Sequence, residues 1–240
     1  MLERLQDSFR RLSDFSSDLA HELRTPVNNL MGQTQVLLSR ERNEAQMREV
    51  LESNMEEYER LARMIEDILF LARADNAQAT LRPETFEIDE ELERVQSFFE
   101  ALAEERDLRL RTHGNAVLVA DRDMFRRALV NLVSNAVRYS PAGSVVTLSA
   151  ESGSDGAVVT SVANQGAGIA PEQIDRVFDR FYRTDSAREG SHQGAGLGLA
   201  IVRSIMMLHG GTVRARSTPG DMTVFSLEFP AARSPTTTSG

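Results

Sequence analysis

DFSSDLAHELRTPVNNL, residues 14–30, sets a histidine and a glutamate side by side in a run of helix formers, then follows them with a proline. Read at helical spacing, Leu5, Phe9, Leu12, Ser16, Leu19 and Leu23 share one stripe. His21 then occupies the heptad position farthest from that stripe and is expected to face solvent. Thr25 lies four residues on, on the same face. Pro26 removes a backbone donor and crowds the preceding turn, which predicts a bend just past the histidine. An exposed imidazole with Glu22 beside it is equipped to act as a nucleophile with a proton acceptor at hand. By position alone, a solvated surface histidine is the better explanation of the placement; Glu22 and Thr25 on its flanks shift the balance.

Working outward, residues 2–75 hold one proline and one glycine. Leu51, Met55, Tyr58, Ala62, Ile65, Leu69 and Ala72 recur at alternating intervals of four and three, a heptad seam. Between the two striped segments lies SRERNEAQ, residues 39–46, short and polar enough for a turn. The pattern predicts a helical hairpin. One hairpin buries little apolar surface, so two hairpins closing into a four-helix bundle, a homodimer, is the expected assembly.

Composition bounds the rest. The chain has 240 residues, 41% hydrophobic and 26% charged, with a net charge of −9. That balance argues against nucleic acid as a partner, because gripping phosphates needs net positive surface. Cysteine is absent, which excludes disulfides and thiolate metal sites. His113, His192 and His209 lack the spacing of a metal site. No apolar run approaches the roughly 18 residues of a membrane span. The opening MLERLQDSFRRL is amphipathic and does not read as a signal peptide.

The second half changes period. Alternation over residues 144–151, 157–164, 212–217 and 223–229 predicts strands, and residues 89–105, 121–139 and 199–208 predict helices. The expected result is a sheet with helices on one face. LRPETFEID, residues 81–89, reads as the joint between the halves, and ARSPTTTSG, residues 232–240, as a disordered tail.

Three stretches of this half carry chemistry. NLVSNAVRYS (131–140) puts Asn131 and Asn135 on one helical face, with Arg138 and Tyr139 a turn later; amide oxygens suit a hard cation such as magnesium, and the arginine suits phosphate. NQGAGIAP (164–171) follows a strand, and its glycines let backbone approach a flat ligand. GAGLGLA (194–200) opens a helix whose free N–H groups suit an anion. Its GxGxG spacing is neither the dinucleotide fingerprint nor a P-loop. Each signal alone is weak.

Together they resemble a family. HELRTP (21–26), NLVSNA (131–136), NQGAGI (164–169), FDRFYR (178–183) and GAGLGLAIV (194–202) are similar, in order, to the H, N, first glycine, F and second glycine boxes of bacterial two-component sensor histidine kinases. GDMTVFSLEFP (220–230) resembles the closing strand. The wording is most like the heavy-metal (copper or silver) sensor branch. The resemblance implies an α+β chain: a helical-hairpin dimerisation domain, then an α/β sandwich ATP-binding domain. It implies the end of a HAMP linker over 1–13, a phosphotransfer hairpin over 14–78, a linker over 79–88, a catalytic domain over 89–231 and a tail over 232–240. It also implies membrane attachment only through a preceding N-terminal part, so that these residues would be the cytoplasmic piece of an inner-membrane protein.

Roles follow by the same resemblance. His21 would accept the γ-phosphoryl of ATP, Glu22 would take the proton, and Thr25 would place water to dephosphorylate a response regulator. Asn135 would coordinate Mg2+, with Asn131 near it. Arg138 would neutralise phosphate, and Tyr139 would pack by adenine. Asn164, Gly166, Gly168 and Ile169 would hold the base, and Arg183 would reach the γ-phosphate. Gly194, Gly196, Leu197 and Gly198 would bound a nucleotide-ordered lid over 184–193. One position departs: the family has aspartate where this chain has Asn164. An amide can present either its oxygen, to adenine, or its NH2, to guanine. Two alternatives remain at this level: a catalytically weak docking module, and an ATPase of a related fold family.

Overall fold

The computed structural model describes residues 2–39, 43–76, 78–184 and 195–231, with side chains from residue 16 onward. The expected tail and most of the expected lid, including Gly194 and His192, lie outside the described residues, as do the side chains of Leu5, Phe9 and Leu12. The chain divides into two compact units at Leu69/Phe70.

The first unit is a hairpin of two long helices, α1 (Leu2–Leu38) and α2 (Glu44–Asp75). Asn43 starts α2 by accepting a hydrogen bond from the Gln46 backbone N–H at 2.9 Å, an N-cap. α1 runs on as helix through Pro26, whose ring is buried together with Leu30. Within one hairpin, α2 turns inward the face that carries Asn54 and Met64. Gln33 of α1 reaches across to Ser53. The stripe at Leu51, Met55, Tyr58, Ile65 and Leu69 is a different face and stays exposed, from 49% at Ile65 to 63% at Leu51. α2 thus has two apolar faces and one hairpin covers only one.

The second unit is a two-layer α/β structure. Its five-stranded sheet runs β2 (Arg109–His113), β4 (Val145–Ser152), β5 (Val158–Gln165), β7 (Met222–Phe229), β6 (Thr212–Ser217). β2 and β4 are parallel and every other pair is antiparallel. A parallel pair needs a crossover, supplied here by β3 (Val117–Asp121) and α4 (Arg122–Tyr139). β3 pairs with β1 (Pro83–Glu87) in a separate ribbon. The segment 79–88 expected as a linker therefore contributes a strand, because Phe86 has a core to enter. α3 (Ile88–Glu105), α4 and α5 (Gly198–Leu208) cover one sheet face. Alternate residues of the central strands, such as Val146, Leu148 and Ala150, point into that layer. Both edge strands expose arginines: Arg109 and Arg111 on β2, Arg214 and Arg216 on β6. The last turn of α2 belongs to this unit: the Arg127 guanidinium lies 4.4 Å from the Phe70 ring centroid, and Arg180 binds Asp75 at 2.6 Å.

α4 is the axis of the core. Phe125, Ala128, Leu129, Leu132, Val133, Ala136 and Val137 are all buried, an apolar face wider than a surface helix needs. Asp121 caps it, one carboxylate oxygen accepting from the Met124 N–H and the other from the Arg82 N–H. The Asp121 N–H donates to His209 Nε2 at 3.0 Å, so that nitrogen carries no proton; Nδ1 holds it and donates to the Ile205 carbonyl. α3 is tied to α4 by Glu91, fully buried, whose carboxylate accepts from Arg122 at 2.7 Å and from Arg126 at 2.7 and 3.1 Å. Burial alone would raise its pKa, but the hydrogen bonds and charges of Arg126 and Arg122 outweigh it and hold the carboxyl below its ordinary value.

Glu91→Gln should cost about 2–3 kcal/mol, somewhat under the usual price of splitting a buried pair, because both guanidiniums reach solvent. In a unit of this size that lowers the unfolding midpoint by roughly 5–10 °C. Because the folded-state pKa is depressed, the stabilisation is complete above about pH 4.3 and fades as pH falls through the lowered value. Thermal unfolding of both proteins across that range should show the gap between them closing in acid.

Candidate active site

The expected residues fall in two places. His21 and Thr25 are exposed on α1, and Glu22 is half-buried beside them. The heptad reading of His21 as solvent-facing matches this placement. The remaining residues belong to the α/β unit.

There, α4 presents Asn131, Asn135, Arg138 and Tyr139 down one side. Asn131 Nδ2 donates to the Arg127 carbonyl at 2.9 Å, which turns its Oδ1 toward the start of α5. Gly198 makes that approach possible: a Cβ there would stand 2.7 Å from Asn131 Oδ1. Asn135 is half-buried, and its amide makes no hydrogen bond among the described residues. Arg138 extends along the ring of Tyr139, 5.4 Å from its centroid.

Opposite α4, β5 ends at Asn164, which is 5% exposed. Its Nδ2 donates to the Gln165 carbonyl at 2.8 Å. A carbonyl only accepts, so the amide orientation is fixed. Oδ1 is left as the acceptor, and it makes no hydrogen bond among the described residues. Across the ladder, Asn164 pairs with Thr223. Thr223 Oγ1 shares a hydrogen bond with Ser217 Oγ at 2.7 Å, and Ser217 Oγ accepts from the Ile169 N–H at 2.9 Å. Sequence reading missed Ser217, Thr223 and Gln165. Each lies in a stretch with a signal, Gln165 in NQGAGI, Ser217 at the end of a predicted strand and Thr223 in the closing strand, but nothing singled them out within it.

The turn after Asn164 needs its glycines. A Cβ on Gly166 would meet the Tyr139 carbonyl oxygen at 2.7 Å, and Gly168, at φ 78°, lies against the backbone of Pro219. A cavity of about 430 Å3 opens at this junction, lined by Tyr139, Pro141, Gln165, Gly166 and Asp221 among others.

Two further segments meet beside α5. Phe178 is buried edge-on against Phe225. Phe181 sits at φ 59°, a conformation a bulky residue adopts only when its surroundings impose it. Its N–H donates to the Gly196 carbonyl at 3.0 Å, while Gly196 itself is at φ 70° with no room for a Cβ over Phe181. The chain is thereby stapled on both sides of residues 185–194. Arg183 is half-buried next to this staple, and Leu197 is buried just before α5.

These features fit a nucleotide. Oδ1 of Asn164 suits a donor edge of a base, and the glycines admit backbone close to it. The N-terminus of α5 suits phosphate. Asn135 suits Mg2+, an ion that keeps most of its water and needs few protein oxygens when phosphates supply others.

The comparisons agree. Residues 120–233 match the family of histidine kinase-, DNA gyrase B- and HSP90-like ATPases. Residues 11–77 match the His Kinase A (phospho-acceptor) domain. The sensor protein IrlS of Burkholderia pseudomallei is 49% identical over 231 residues, 96% of this chain and 50% of that protein. The sensor histidine kinase CusS of Escherichia coli K12 is 47% identical over 218 residues, 90% of this chain and 45% of that protein. This chain thus spans about half the length of these relatives. Among solved structures, the histidine kinase AdeS of Acinetobacter baumannii superposes with a TM-score of 0.74 at 27% identity, covering 89% of this chain and 98% of that one.

An aliphatic residue at 164 would remove the one fixed acceptor. Asn164→Leu is expected to weaken ATP binding about 5–30-fold, the worth of ~1–2 kcal/mol, while leaving GTP binding nearly unchanged. Titration with both nucleotides tests it; an unaltered ATP/GTP ratio would mean that Asn164 does not read the base.

Proposed function

The chain belongs to the histidine kinases, with a phospho-acceptor hairpin ahead of an ATPase fold, and from that premise we propose that it moves the γ-phosphoryl group of ATP to His21 and then to an aspartate of a response regulator. The exposed imidazole beside Glu22, on a hairpin matched to the phospho-acceptor domain, carries this reading. In the first step an imidazole nitrogen of His21 attacks the γ-phosphorus in line. The N–P bond forms, the bond to the bridging oxygen of ADP breaks, and the imidazole proton passes to Glu22. Asn135 would hold Mg2+, which when bound would supply positive charge to the phosphates; Arg138 and Arg183 add positive charge there. Thr25, one turn beyond His21, positions water for dephosphorylating the regulator. The stimulus belongs to the heavy-metal class that the box wording resembles, and membrane attachment belongs to the part of the protein that precedes these residues.

The docking-module alternative rested on Asn164. With its amide oxygen fixed as an acceptor, that residue can serve adenine much as a carboxylate would, without the charge. The homodimer gains support from the second face of α2, since an uncovered apolar stripe of this length is costly in water.

Incubation with radiolabelled ATP should leave an acid-labile, base-stable label that His21→Gln abolishes. Turnover without label would mean an ATPase, and neither would mean a scaffold. Thr25→Ala should keep autophosphorylation while slowing regulator dephosphorylation roughly 5–30-fold; equal losses in both would assign Thr25 to helix geometry instead. Ile65→Asp, which would place a charge on the stripe, should convert the dimer to monomer by light scattering. A variant that stays dimeric would show the stripe to be misassigned.

A further inference from the structure

The hairpin contains one polar atom that its own fold leaves stranded. Asn54 is 7% exposed, and its Oδ1 is buried with no hydrogen-bond partner. Met47, Leu61 and Ile68 occupy the same heptad column at intervals of seven, so Asn54 is the one polar residue of that column between Met47 and Ile68. At about 100° per residue, Asn54 stands roughly 60° from the centre of the exposed stripe formed by Leu51, Met55, Tyr58, Ile65 and Leu69. It lies on the border between the face turned to α1 and the face left uncovered. A buried acceptor without a donor is destabilising, and replacing it by an apolar group of similar size would ordinarily be neutral or better. An amide kept at such a position is explained by a donor that arrives with another chain.

We propose that Asn54 is a partner-selecting residue of the dimer: its amide pairs with polar groups of the second copy near the bundle axis and disfavours hairpins whose matching column is apolar throughout. This rests on the homodimer reading above. In a twofold assembly one patch meets itself, so residues near the axis meet their own counterparts or close neighbours. A single polar residue in an apolar seam fixes register and partner at some cost in stability.

The test mixes the chain with its own variant. Wild type is combined with 15N-labelled Asn54→Leu, and separately with 15N-labelled Asn54→Ala. Each mixture is unfolded, refolded together and read by native mass spectrometry. Each variant alone is expected to form dimers, with Asn54→Leu unfolding at a higher temperature than wild type. In the mixtures, mixed pairs should be disfavoured about fivefold, making up roughly a sixth of all dimers instead of half. Statistical pairing in both mixtures would overturn the proposal and leave the dimer intact. Loss of dimers in both variants would show that the amide holds the bundle together without selecting, which also overturns it. Monomers throughout, wild type included, would remove the dimer reading and this proposal with it.

Discussion

α4 can present its amides only if both its ends are held, and the first end is held by the carboxylate of Asp121. One of its oxygens satisfies the start of the helix at the Met124 N–H, and the other fastens the entry to β1 at the Arg82 N–H. The Asp121 backbone ties the same point to His209 at the end of α5. Three segments remote in sequence therefore meet at one residue. From that fixed start the helix buries an apolar face in the core, and Asn131 and Asn135 emerge at set heights along it. Glu91 adds the lateral constraint by binding two arginines of the first two turns of α4 from α3. A carboxylate so deep is tolerated because its charge is met from two sides.

The opposite wall of the site follows from strand register. Asn164 sits at the end of β5, and its height there is set by pairing with Thr223 on β7. The Ser217–Thr223 bond and the Ile169 N–H to Ser217 bond then fix the turn that follows. The unpaired oxygen of Asn164 is thus a product of local chemistry: the neighbouring carbonyl takes the NH2 group and leaves the oxygen without a partner among the described residues.

Much of this was legible in the chain. The helices and the four longer strands of the α/β unit have strong periods, and their ends fell within one residue of the expected ones. Asn131 and Asn135 lie on one face of α4, as their spacing requires. What escaped reading had physical reasons. β1 holds one buried residue, Phe86, in a polar run. β2 alternates, but its outward residues are arginines, which suit a solvated loop equally well. β3 is a short apolar run that flows straight into α4. Ser217, Gln165 and the orientation of the Asn164 amide depend on contacts across strands or on backbone geometry, and a linear pattern does not carry those. The two faces of α2 were half legible: the exposed stripe has a regular heptad, while Asn54 looks like an ordinary surface amide until the helix is placed against its neighbour.

The sheet is open at both ends, at β2 and at β6, and an open edge is a template on which another chain can add a strand. Each of these edges carries two exposed arginines. In a chain whose net charge is −9, positive charge has been set along the two lines where backbone donors and acceptors lie unpaired. Copies that approach edge to edge meet like charge at the moment of pairing, whichever edges they present. The domain can therefore be crowded beside many identical copies, with its sheets kept from growing into one another.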